Sequence, residues 1–420
     1  MSSDFTAPLG ELDPELAGLI DAELDRERHS LDCIASENFV PAALMEVQGS
    51  VLTNKYADGY PGRRDYDGCE VIDEVERLAI ARAKALFGAE HANVQPYSGS
   101  NANFAVLRAL CAPGDTVLGW DFTHGGHPTH YDADTLTGRF YRGIAYHVRR
   151  SDRLVDVDEA AELAMTHHPK VIFIGWSCYP RTVDYAAFRE IADRVGAYLV
   201  ADMAHVAGIV AAKAHPNPAP LADVCTFTTH KTLGGARGGV ILSRADLAER
   251  IDTAVYPGSQ GGPLPHVFGA HALAFHLAAR PEFAGRIAQT LSGARTLARV
   301  LVEAEATTRC QVVTGGTENH QVILDVSPSG MDGAAALERL EAIGINANAM
   351  PLAYDPVAGP IGSGIRLGAT ALATRGLDDD AFAELGELIA AALGSEGPSE
   401  AVEGRAAQLA ASFPLYPALS

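Results

Sequence analysis

The chain has 420 residues, 47% of them hydrophobic, and a formal charge of −21. That is enough apolar material for a large core and more than one domain, whereas the acidity opposes nucleic acid and anionic membranes as partners. No N-terminal apolar run resembles a signal peptide and no stretch of about 18 uncharged apolar residues offers a membrane span, so a soluble, cytoplasmic protein is expected.

Six cysteines (Cys33, Cys69, Cys111, Cys178, Cys225 and Cys310) are scattered singly, without the paired spacing of zinc or redox sites, which predicts buried reduced thiols. Residues 1 to about 30 end in Asp21-Ala-Glu-Leu-Asp-Arg-Glu-Arg28, a charge pattern that predicts a helical arm. Residues 31–282 are expected to form a large α/β domain and residues 283–420 a smaller α+β domain.

A polar turn at Ile34–Phe39 precedes a helix expected from about Pro41 to Val51. Residues 53–70 carry three tyrosines among glycines and charges with no periodicity, which predicts a loop of functional character. Apolar residues recur at helical spacing from Val75 to Phe87, closed by Gly88. After a strand at Asn93–Gln95, Ser98-Gly99-Ser100-Asn101 opens a helix to Leu110. Free N–H groups at such a helix start make a candidate phosphate cradle, and the same residues read equally as an ordinary cap.

Buried strands are expected at Thr116–Gly119, Val171–Trp176, Tyr198–Ala201 and Val224–Thr229, with a helix at Tyr185–Val195. This alternation predicts a mainly parallel sheet flanked by helices, with ligands at the strands' carboxyl ends. Asp202 ends one strand, with His205 three residues on; such a carboxylate suits a cationic partner or, alternatively, a helix cap. His124-Gly-Gly-His127-Pro-Thr-His130 brings three imidazoles together, but its glycines and proline forbid a continuous helix and no Cys or carboxylate stands at zinc-like spacing. Ring stacking or hydrogen bonding by one His is expected in place of a metal.

The stretch Thr226-Phe-Thr-Thr-His-Lys231-Thr-Leu-Gly-Gly-Ala-Arg-Gly-Gly239 passes from an apolar strand into hydroxyls, one Lys and glycines. Alone, Lys231 reads as a surface residue in a glycine loop. Set beside Asp202 and the Ser98–Ser100 turn, it fits pyridoxal phosphate (PLP), which needs a Schiff-base lysine, a carboxylate at the pyridinium nitrogen and a phosphate cradle. Beyond residue 283, helices are expected near 283–304, Asp332–Ala342 and Asp380–Leu393, and strands at Gln311–Thr314, Gln321–Val326, Ile345 and Ile365. Arg366 in Ser363-Gly-Ile-Arg366 is placed to clamp a carboxylate, or is a plain surface arginine.

Ser36-Glu-Asn-Phe39, Leu52-Thr-Asn-Lys-Tyr56, Gly68-Cys-Glu70, Asn93-Val-Gln-Pro96, His124-Gly-Gly-His127, Asp202-Met-Ala-His205, Thr229-His-Lys-Thr-Leu233 and Ser363-Gly-Ile-Arg366 together resemble the serine hydroxymethyltransferase family, in family order and over nearly the whole chain. The resemblance implies a fold-type I PLP enzyme, an α/β protein with a mainly parallel sheet, working as a homodimer with shared active sites. Lys231 would carry PLP, Asp202 would pair with its ring nitrogen, His127 would stack on the ring, and Ser177 and His205 would bond the ring hydroxyl. Ser98, Gly99 and Ser100 would hold the phosphate, with Tyr56 and Gly262 reaching it from a second subunit; Thr228 and Arg237 complete the cofactor set. Ser36, Tyr66 and Arg366 would hold the amino-acid carboxylate, and Lys231, Asp58, Tyr66, His230 and His127 are the catalytic candidates.

Several positions depart from the family pattern: Asp58 stands for a Glu, Asp65 for an aromatic, Pro128 for a Leu, Met350 near an Asn, Tyr97 for a His and Gly234 for an Arg. These predict an altered or absent tetrahydrofolate site and an aldolase or transaldolase acting on β-hydroxy amino acids. Two alternatives stay open: a folate-dependent serine or α-methylserine hydroxymethyltransferase, and an inactive PLP-fold binding or regulatory protein.

Overall fold

The computed structural model of the protein describes residues 3–357, 359 and 361–419. Its centre is a seven-stranded sheet of β1 (His91–Asn93), β2 (Thr116–Trp120), β3 (Arg142–Tyr146), β4 (Val171–Gly175), β5 (Tyr198–Asp202), β6 (Val224–Thr228) and β7 (Gly239–Ser243), in the spatial order β1-β7-β6-β5-β4-β2-β3. Only β7 runs against its neighbours. β4, β6 and β7 are buried at every residue, as expected of strands covered by helices on both faces. The architecture is therefore the expected α/β class with a mainly parallel sheet.

The helices stop and start where the chain supplies caps. Asp184 accepts from the N–H groups of Ala186 and Ala187, opening Tyr185–Val195, and Gly196 closes that helix at φ 69°. Ser98 caps Gly99–Leu110, and Gly88 closes the preceding long helix at φ 71°.

The structure also corrects the expectations. That long helix begins at Glu70, not Val75, and β1 covers 91–93 instead of 93–95, because the Gln95 backbone bonds side chains in place of a strand: its N–H donates to Asn93 Oδ1 and its carbonyl accepts from Gln260 Nε2. Residues 53–70 are not wholly loop: a single turn spans Val51–Asn54, and Gly59–Tyr60 pairs with Arg63–Arg64 in a short hairpin. β3, β7 and the helices Pro265–Ala278 and Glu400–Ser412 were not foreseen. Pro265–Ala278 is apolar nearly all round because it is wedged among other helices, so it shows no amphipathic period.

A second layer holds the antiparallel strands β8 (Gln311–Val312), β9 (Gln321–Asp325), β10 (Asn348–Met350) and β11 (Gly364–Gly368), ordered β8-β9-β11-β10. Leu31–Asp32 pairs with Ile345–Asn346, and Leu31 and Cys33 pack in this layer's core with Leu297, Leu324 and Phe382. All six cysteines are free, five of them buried. Among the described residues, no helix is long and apolar enough to cross a membrane.

The short hairpin that carries Asp58 is fixed by a buried charge network. Arg64 Nε donates to Asp73 at 2.8 Å and Nη2 to Glu76, while Nη1 donates to the carbonyls of Ala57 and Gly59. Glu76 is wholly buried. Arg64→Leu strands that carboxylate, and we expect a loss of about 3–5 kcal/mol in unfolding free energy, read as a lower denaturant midpoint.

Candidate active site

The strands' carboxyl ends converge on one cleft. β2 leads to His124–His130, β4 to Ser177, β5 to Asp202 and His205, and β6 to Thr228 and Lys231. Lys231 Nζ donates to Thr228 Oγ1 at 2.8 Å. Burial lowers the Lys231 amine to about 8; Asp202 opposes that shift, and the charges of Arg366 and Arg237 add to it. The loop around it is pinned on every side. Asn38 Nδ2 donates to the Lys231 carbonyl at 2.9 Å, Thr232 Oγ1 to the His205 carbonyl at 2.9 Å, and the Gly208 N–H to Thr232 Oγ1 at 3.0 Å. A Cβ at Gly208 would lie 2.2 Å from the Thr232 carbonyl oxygen, so glycine is required for that close approach. Gly234, where the family pattern has an Arg, sits at φ 70°, a conformation glycine adopts without strain.

Asp202 is held by three donors: His130 Nε2 at 3.0 Å, Asn103 Nδ2 at 2.9 Å and the Ala204 N–H at 3.0 Å. Burial alone would raise its carboxyl, but the His130 bond and the charges of His130 and His127, with Asn103, hold it well below the usual carboxylate range. The same asparagine orders His127. Thr226 Oγ1 donates to Asn103 Oδ1, so the Asn103 amide faces Thr129 Oγ1 and Asp202; the Thr129 hydroxyl is then left to donate to His127 Nδ1 at 2.6 Å. The Thr129 N–H points at that nitrogen too, so the His127 proton resides on Nε2. Burial lowers His127 to about 4.

Arg366 lies on β11 opposite Asn348 and is nearly buried. Its Nε donates to Asn348 Oδ1 at 2.8 Å and its Nη1 to the Ser177 carbonyl at 2.7 Å. Among the described residues it has no carboxylate partner, so an incoming carboxylate would find an uncompensated buried cation. Burial pushes His230 down to about 3, and its buried Nδ1 has no partner among the described residues.

The remaining candidates spread toward the surface. Ser98 Oγ is turned to its own helix, donating to Asn101 Oδ1 at 2.8 Å, with Gly99 and Ser100 in the first turn behind it. A Cβ at Gly99 would press on Thr228 at 2.8 Å, which brings that turn against the lysine loop. Tyr56 and Gly262 meet each other in one chain, and Tyr97 donates to the Gly262 carbonyl at 2.7 Å. Tyr56 packs edge-on to Tyr66 at 5.2 Å, both exposed. Asp65 accepts from the Tyr256 hydroxyl, and Asp58 Oδ1 is buried with no partner among the described residues. Burial, then the Asp65 charge, raises the Asp58 carboxyl. Ser36 is half-buried beside the buried Ala35, and Arg237 is exposed.

Sequence reasoning passed over Asn103, Thr129 and Asn348, and gave His130 no particular role. Asn103 had a signal, being a polar residue inside the apolar face of Gly99–Leu110; Asn348 had none.

The donor set fits PLP: one amine close to neutrality, one anion held against burial, and the start of a twelve-residue helix facing the lysine loop. Fold and site together define a PLP-dependent enzyme of fold-type I. Residues 9–389 match the family model described as serine hydroxymethyltransferase. The chain is 51% identical over 422 residues to a serine hydroxymethyltransferase of Leifsonia xyli, covering 100% of this chain and 98% of the relative. It is 52% identical over 415 residues to that of Nocardia farcinica, covering 99% and 96%, and 52% identical over 415 residues to serine hydroxymethyltransferase 2 of Mycobacterium tuberculosis, covering 98% of each. The chain belongs to the serine hydroxymethyltransferase family.

Only the neutral amine of Lys231 attacks an aldehyde, so capture of PLP by cofactor-free protein should accelerate about tenfold per pH unit below about 8 and level off above it. Stopped-flow absorbance checks this, and Lys231→Ala should show no capture at any pH.

Proposed function

We propose that the chain interconverts serine and glycine, with tetrahydrofolate as the one-carbon acceptor. The reading rests on one observation above others: a buried amine three residues past a strand end, beside an anionic Asp202 and within the field of the unpaired Arg366. The names and full-length likeness of the relatives support the serine reaction. They lend no support to the expected loss of the folate site, and favour the folate-dependent alternative instead.

When bound, PLP supplies an electron sink for the bonds at the amino acid's Cα. The chain's own residues do the rest. Asp202 keeps a charge opposite the ring nitrogen, and Ser98, Gly99 and Ser100 take the phosphate, joined by Tyr56 and Gly262 from a second copy in a homodimer. His127, its Nδ1 held by Thr129, would stack on the ring. Arg366 and Ser36 would hold the substrate carboxylate, with Tyr66, which packs on Tyr56, arriving with it from the second copy, and so would select which Cα bond is weakened. Asp58, whose carboxyl is raised toward neutrality, moves the proton at the substrate hydroxyl. The chain divides at about residues 30 and 282, and Leu31 and Cys33 are lent to the C-terminal layer.

A second reading, aldol cleavage of β-hydroxy amino acids without folate, is favoured by the acid pair Asp58 and Asp65 at the tyrosine-lined mouth, where a polyanionic tail is repelled. Glycine formation from serine, measured with and without tetrahydrofolate, separates the two. Strong dependence on folate is expected; equal rates would establish the second reading. Asp58→Asn should lower kcat by about 10²–10⁴-fold while the visible absorption of bound PLP is unchanged.

A further inference from the structure

The cleft contains a carboxamide whose orientation leaves no freedom. Gln321 stands at the start of β9, wholly buried. Its Oε1 accepts from the Tyr179 N–H at 3.0 Å. Its Nε2 lies 3.1 Å from the Ser177 carbonyl oxygen and 2.9 Å from His205 Nδ1. Turning the amide over would set oxygen against the Ser177 carbonyl and N–H against N–H at Tyr179, so the assignment is fixed from two directions. Both amide hydrogens are thus committed, one of them to His205 Nδ1.

That nitrogen must therefore be an acceptor. An Nδ1–H tautomer, or an imidazolium, would point a hydrogen at a hydrogen. The neighbouring His320 ring lies 5.5 Å away at 19° and is similarly constrained, since its Nε2 faces the Ala35 carbonyl oxygen at 3.2 Å and must donate there. His320 Nε2 is a longer 3.4 Å from His205 Nδ1, so it does not displace the amide donor. Burial first, and then the Lys231 and Arg366 charges and the His320 and His127 imidazoles that face it, disfavour a second proton on His205. Among the described residues, His205 Nε2 has no protein partner.

We propose that Gln321 is a positioning residue of the active site: its carboxamide fixes His205 as the neutral imidazole protonated on Nε2, so that His205 donates to the ring oxygen of PLP. Through the same hydrogens Gln321 ties His205 to the Ser177 carbonyl, the group that also accepts from Arg366. The ring oxygen's donor and the substrate-carboxylate clamp are thereby set by one side chain. This deepens the cofactor assignment proposed above and rests on it.

The test reads the tautomer directly. In holoenzyme carrying 15N-labelled histidine, with the His205 signals assigned by their loss in His205→Asn, Nδ1 should show the shift of an unprotonated nitrogen and Nε2 that of a protonated one. Gln321→Leu keeps the volume and removes both donors; it should populate the Nδ1–H form and speed PLP release about fivefold, the equivalent of one neutral hydrogen bond, with kcat falling more than KM rises. Gln321→Glu substitutes an acceptor for the donor and should bring His205 protonation into the measurable pH range. A protonated Nδ1 in the wild-type protein overturns the proposal, and so does a Leu variant with the wild-type tautomer and release rate. If the Leu variant does not fold, the wild-type spectrum alone decides. Failure of the cofactor assignment is distinguishable, because wild-type protein supplied with PLP would then show no visible band at all.

Discussion

Two groups of opposite charge, Lys231 and Asp202, are buried at the carboxyl ends of adjacent strands, and the rest of the cleft is built to tolerate them. Neither forms an ion pair with the other within hydrogen-bond distance. Asp202 is instead surrounded by neutral or shared donors from His130, Asn103 and the Ala204 N–H, and Lys231 by a single threonine hydroxyl. A buried charge without a partner costs several kcal/mol, so an anion solvated by protein donors and an amine held near neutrality are the two ways to keep both groups chemically available. The close contacts of Gly208 and Gly99 follow from this, since both backbones must press in to complete the enclosure.

Two of the imidazoles around that pair, His127 and His205, obey one rule: a neighbour of fixed hydrogen-bonding sense decides where the proton sits. His127 accepts at Nδ1 because Asn103 leaves the Thr129 hydroxyl no other role, and His205 accepts at Nδ1 because Tyr179 and Ser177 orient Gln321. Burial then keeps these rings neutral, with His127 near 4 and His230 and His320 near 3. The charges that bear on Lys231 are those of Asp202, Arg366 and Arg237. Its reactivity then depends little on histidine titration.

Much of this scaffold was legible because the signals were local. The caps Asp184 and Ser98, the glycine stops at 88 and 196, and the short apolar runs of β4, β5 and β6 each declare an element within a few residues. Lys231 and Asp202 stood out because charges at or just past the ends of apolar strands are incongruous; Arg366 was expected at a glycine-flanked turn, and the structure instead places it at the centre of β11, paired on both sides. What stayed hidden was non-local. β7 follows a glycine-rich loop that masks its start, and Pro265–Ala278 is apolar nearly all round, so no period marks it. Asn103 and Gln321 act through partners 26 to 144 residues away, and nothing along the chain announces such pairings.

The C-terminal sheet shows why strand register carries chemical meaning here. Ile323 is paired with Arg366, and Arg366 with Asn348, so these three side chains form one cross-strand row; Gln321 lies two residues from Ile323 on the same face. That face looks onto the strand ends of the large sheet, where Arg366 and Gln321 both reach the Ser177 carbonyl. The opposite face, with Val322, Leu324, Ile365 and Leu367, fills the apolar core of the layer. Because side chains alternate with a period of two, slipping β9 or β11 by one position would bury a guanidinium and a carboxamide among leucines while exposing that core. The hydrophobic pattern that stabilises the C-terminal layer is therefore the same pattern that aims Arg366 and Gln321 at the cleft, and neither can change register without the other.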